Sequence, residues 1–95
     1  MMLRELVNKI FRPMEKFSDG ASIFYAHREC ICYQDGPRRS VEFDIEFDGK
    51  SYVIIQDPSY WKGELSGKID KSDLTKIKER IDIYFKNRGI LIELR

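Results

Sequence analysis

Histidine, cysteine, proline and tryptophan are scarce in this chain of 95 residues, with one His, two Cys, three Pro and one Trp, and each scarcity excludes something. A structural zinc site takes four ligands, commonly with paired cysteines two to four residues apart, and His27, Cys30 and Cys32 supply three soft ligands at most. No metal or other cofactor is therefore expected. On a continuous strand His27 would point away from the face holding both thiols, which also argues against a Cys-His nucleophile pair. There is no G-x-S-x-G elbow, no glycine-rich phosphate loop and no H-E-x-x-H, so no catalytic residue is assigned and the chain is read as not an enzyme.

Long apolar runs are missing too. The N-terminal stretch MMLRELVNKIF interrupts its apolar residues with Arg4, Glu5, Asn8 and Lys9, unlike a signal-peptide core or a membrane span of roughly 20 residues. The expectation is a cytoplasmic protein that does not enter a membrane. Cys30 and Cys32 on one strand would share a face at about 6.5 to 7 Å, too far apart for an ordinary disulfide, so reduced, buried thiols are expected. Charge of one sign does not dominate: 17 Lys and Arg stand against 16 Asp and Glu, a net +1, far from the balance of a dedicated nucleic-acid binder.

What is present is patterned. With 42% hydrophobic and 35% charged residues, the composition is that of one globular domain over residues 1–95, with one core. Leu3, Leu6, Val7, Ile10, Phe11, Met14 and Phe17 follow helical spacing, predicting a first helix that stops near Phe11 or kinks at Pro13 and runs to Phe17. Ser18-Asp19-Gly20 reads as a turn. SIFY and ICYQ predict two short strands or one bent strand, and Asp35-Gly36-Pro37 ends them before a strand from Arg39 to Phe47.

Asp48-Gly49 predicts a two-residue type I′ hairpin, in which Ile45 faces Tyr52 and Phe43 faces Ile54. That register puts Val41, Phe43, Ile45, Phe47, Tyr52 and Ile54 on the inner face. The outer face then carries Glu42, Asp44 and Glu46 beside Ile55, Val53 and Ser51, half acidic and half aliphatic.

Residues Asp57 to Lys68 read as an irregular loop with Tyr60 and Trp61, the tryptophan either folding back to plug the edge of the core or, if exposed, serving as an interface anchor. A second helix follows, with Asp70 as N-cap, Asp73 at N3, Ile69 and Leu74 as a hydrophobic staple, a buried stripe of Leu74, Ile77, Ile81, Tyr84 and Phe85, and Gly89 at C′. Its charged residues, of mixed sign, read as a solvated face. A strand from Ile90 to Leu94 closes the chain. The expected fold is α+β, in the order α-β-β-β-β-α-β, a mainly antiparallel sheet of four to five strands with the second helix packed on one face.

The run SYWKGELSGKIDKSDLTKIKERIDIYFKNRGILIEL, with Trp61, Ile69 ahead of a capped helix, Ile77, Ile81, Phe85, Gly89 and a closing strand, resembles small bacterial immunity proteins of polymorphic toxin systems. The resemblance covers about a third of the chain and implies a cytoplasmic protein that binds and neutralises a toxin domain.

The residues and the resemblance together lead to a non-catalytic protein-binding module. Its expected contacts with a protein partner, such as a basic toxin domain, are Glu42, Asp44 and Glu46 as acidic groups, and Tyr60 with Trp61 as aromatic anchors. Two other readings stay open: a small nucleic-acid-associated protein using Trp61 and the lysines of the second helix, or a structural homodimer burying Val53 and Ile55 across paired sheets.

Overall fold

The computed structural model describes residues 14–56 and 58–95. The helix predicted at the N-terminus lies outside them up to residue 13. Its predicted extension to Phe17 does not form: Met14–Lys16 is strand β1, paired with β2. Further strands are β2 (Ala21–His27), β3 (Cys30–Asp35), β4 (Arg39–Phe47), β5 (Ser51–Val53), β6 (Tyr60–Gly63), β7 (Gly67–Lys68) and β8 (Glu93–Leu94), with helix α1 (Lys71–Asn87) between β7 and β8. The class is α+β with a C-terminal helix, as expected, but among the described residues the sheet has eight strands and is mixed, because β5 and β8 pair in parallel.

The main path of the sheet runs β1-β2-β3-β4-β5-β8. The length of β4 organises it. One edge of its nine residues pairs with β3, while the other is shared by β6 at Arg39 and Ser40 and by β5 from Ile45 to Phe47. The segment predicted to be irregular therefore contains two short strands, β6 and β7. Gly63 permits the close approach to β4: its φ is 112°, and a Cβ there would lie 2.5 Å from the carbonyl oxygen of Arg38.

Helix α1 follows its sequence signals closely. The Asp70 carboxylate accepts a hydrogen bond from the backbone N–H of Asp73 at 2.8 Å. At the other end Gly89, with φ of 68°, donates to the Lys86 carbonyl, and Ile90 donates to that of Phe85, the paired bonds of a Schellman stop. Ile77, Ile81, Tyr84 and Phe85 are buried against Ile23, Ile31, Tyr33, Val41, Phe43 and Val53 of the sheet. Tyr25 meets Tyr84 and Phe85 edge to face, with ring centroids 6.1 and 6.3 Å apart.

Arginines fasten the helix to the sheet, where the sequence suggested only a solvated face. Arg80 donates to Asp19 at 3.0 Å and to the Tyr33 hydroxyl at 2.9 Å, with its guanidinium over the Phe17 ring. Arg88 reaches Glu15 of β1 and lies 3.8 Å from the centre of the Tyr84 ring. Arg39 of β4 pairs with Asp35, reaches Asp73 of α1 at 3.7 Å and covers Trp61 at 4.2 Å. Each combines an ion pair with a cation–π contact, so its apolar stem and its charge both contribute.

Candidate functional site

The predicted outer face of the central hairpin exists, although its register differs. Ile45 pairs with Val53, Glu46 with Tyr52 and Phe47 with Ser51, leaving Asp48, Gly49 and Lys50 as a three-residue loop. A type I′ turn needs positive φ at both central residues, and Gly49 adopts it at 69° whereas Asp48 does not. The one-residue shift moves every β5 side chain to the opposite face. Val53 is fully buried in the core and Ile55 packs against it, so neither belongs to an aliphatic outer patch, and the homodimer built on that patch loses its basis. Tyr52 moves to the acidic face, and Phe47, expected inside, is 78% exposed.

Glu42, Asp44 and Glu46 all face solvent from β4, while Val41 and Phe43, alternating with them, are buried and Ile45 is half-buried. Their neighbours differ. Lys62 of β6 approaches Glu42 at 3.8 Å, and the Tyr52 hydroxyl donates to Glu46 at 3.4 Å. Asp44 makes no side-chain hydrogen bond or ion pair among the described residues. The parallel pairing adds Glu93, opposite Tyr52, where Lys50 and Arg95 pair with it and bring the acidic character to an end.

Across the β3–β4 ladder Cys32 stands opposite Glu42 and Cys30 opposite Asp44, so thiols and carboxylates share one face. Both cysteines are buried and unbridged. Burial, then the Glu42 carboxylate, push the Cys32 thiol up to about 11; burial, Glu42 and Asp44 also raise that of Cys30. Such thiols stay protonated at neutral pH and pack as small apolar groups. A bulge between Tyr25 and His27 places His27 opposite Cys30, contrary to the continuous-strand expectation. The two line a shallow cavity of about 360 Å³ with Glu42, Asp44, Tyr60 and Lys62. Among the described residues no group of three or more His, Cys, Asp or Glu side chains is placed to hold a metal ion.

The aromatic pair divides. Tyr60 is 57% exposed beside the acidic face, whereas Trp61 is 4% exposed and packs on Tyr33, with ring centroids 6.2 Å apart. Strand alternation explains this: neighbours on β6 point to opposite faces, and Trp61 takes the inner one. Trp61 is therefore a core residue and not an anchor or a base-stacking platform. Sequence reasoning missed both Tyr52, which joins the face through the shifted hairpin register, and Glu93, which joins it through a parallel pairing that no local pattern announces.

Among the described residues no helix is long and apolar enough to cross a membrane. Comparison with protein-family models, with curated proteins and with solved structures finds no match to this chain.

Proposed function

We propose that the protein is a non-catalytic protein-binding module of the immunity type, which docks a basic toxin domain on the outer face of β4. The observation that carries this reading is the row of three solvent-facing carboxylates, Glu42, Asp44 and Glu46, on a rigid strand whose opposite face is core. Asp44, without a side-chain partner among the described residues, is the group a basic partner would meet first. Alternate positions on a strand are about 7 Å apart, a spacing suited to several cationic side chains of one surface and poorly suited to wrapping a single ion. Tyr60 at the margin supplies an exposed aromatic contact of the kind enriched in binding hot spots. Complementary charge of this kind speeds encounter and selects the partner.

The test is affinity capture from the source cell's lysate, with the wild type compared with a Glu42→Lys, Asp44→Lys, Glu46→Lys triple variant shown to be folded by circular dichroism. A stoichiometric basic partner held by the wild type and lost by the variant is the expected result. Equal capture by both would return the carboxylates to a solubilising role.

A further inference from the structure

The sheet ends at β8, and its outer edge is open among the described residues. The Arg95 N–H donates to the Val53 carbonyl at 2.8 Å, and the Arg95 carbonyl accepts from the Ile55 N–H. Backbone groups alternate sides along a strand, so those of Ile92 and Leu94 point away from β5, toward the open side. Open edges are templates for another strand, and natural proteins blunt them by short length, charge, proline, inward charge or a covering segment; β8 is two residues long, and its outward backbone groups extend to Ile92. No proline lies between Ile90 and Arg95.

Cavities lie at both ends of this edge. One, of about 460 Å³, has Ile55, Leu74 and Leu94 as apolar lining and Lys71, Lys78 and Arg95 around it. The other, of about 530 Å³, is lined by Phe47, Leu91 and Ile92, with Lys50 and Glu93 beside them. Phe47 and Leu91, which line this second cavity, are 78% and 93% exposed, large apolar side chains left in solvent. Neither Lys71 nor Lys78 has an ion-pair partner among the described residues. Among the residues lining the two cavities, four cationic side chains stand against one acidic one, Glu93, which pairs with Lys50 and Arg95 and leaves Lys71 and Lys78.

We infer that the β8 edge is a strand-addition site for an extended segment of a partner protein in which acidic residues alternate with apolar ones. Backbone bonds to Ile92 and Leu94 hold the segment, its apolar side chains enter the two cavities, and its carboxylates meet Lys71 and Lys78. This surface is separate from the acidic face of β4 and selects the opposite charge, so its test stands apart from that of the proposed function.

Isotopically labelled protein is titrated with an N-acetylated peptide of four Val-Glu repeats and, separately, with one of four Val-Lys repeats, observing backbone amide resonances. The expected result is that the glutamate peptide shifts the Ile92 and Leu94 amides and slows their hydrogen exchange, while the lysine peptide binds at least about tenfold more weakly. A Lys71→Glu, Lys78→Glu variant, altered only on the exposed side of the helix, should reverse that preference. Ile92→Pro, which deletes an outward N–H and leaves the β5 ladder intact, should weaken binding of the glutamate peptide. Equal binding of both peptides, no binding at about millimolar peptide, shifts confined to other strands, or concentration-dependent self-association through the same amides would each overturn the proposal.

Discussion

Cys32 shows how a single residue reports on its face of the sheet. Its thiol is raised from an ordinary 9.0 to about 11, so the folded state favours the protonated form. The sign follows directly: this contribution is fully present below pH 9 and is lost as pH rises through the folded value, because the unfolded thiol ionises first. Tyr84, raised by burial from 10.0 to about 12, behaves the same way at higher pH. Stability measured by urea unfolding should fall steadily between pH 9 and 12, and a Cys32→Ala variant should lose less than the wild type between pH 9 and 11. At pH 8 both thiols should resist an aromatic disulfide reagent until the protein unfolds. Arg80 gives a second expectation at this scale: Arg80→Ala removes the bonds to Asp19 and Tyr33 and should cost about 1–3 kcal/mol in the same assay. Its role was hidden in the sequence, where it is one charge among many on the helix.

At the scale of elements, what was legible had a local cause. Asp70, Ile69 and Gly89 mark helix α1 because caps, staples and stops act within a few residues, and Arg39–Phe47 alternates because one of its faces is buried. Asp70→Ala should therefore lower the thermal midpoint, because it removes the cap bond to the Asp73 N–H. What was not legible depended on distant partners. Met14 and Phe17 keep helical spacing from Leu3 onward, yet Met14–Lys16 pairs with Ser22–Phe24 as an edge strand. Asp48-Gly49 favours a two-residue turn in isolation, but burial of Val53 beside Ile45 selects the three-residue loop. Gly63 is the counterpart for β6. Gly63→Ala would place a Cβ against the Arg38 carbonyl at a positive φ and should cost more than about 2 kcal/mol, with loss of the Arg39–Gly63 pairing in amide exchange.

At the scale of the whole molecule, each face differs in chemistry. The inner face and α1 hold the core, the outer face of β4 presents carboxylates, and β8 ends the sheet among cations. The directions of Glu42, Asp44 and Glu46 could be read from alternation alone. The burial of Trp61 was one of two outcomes open in the sequence, and the choice between them depends on β6 joining the edge of β4. Carboxyl footprinting of the complex with the captured partner tests the central claim most directly: an amine coupled by carbodiimide labels accessible carboxylates, which mass spectrometry then locates. We expect Glu42, Asp44 and Glu46 to label rapidly in the free protein and to be protected together in the complex, while Glu79 on the helix stays equally reactive. Continued labelling of all three in a fully formed complex would contradict the account.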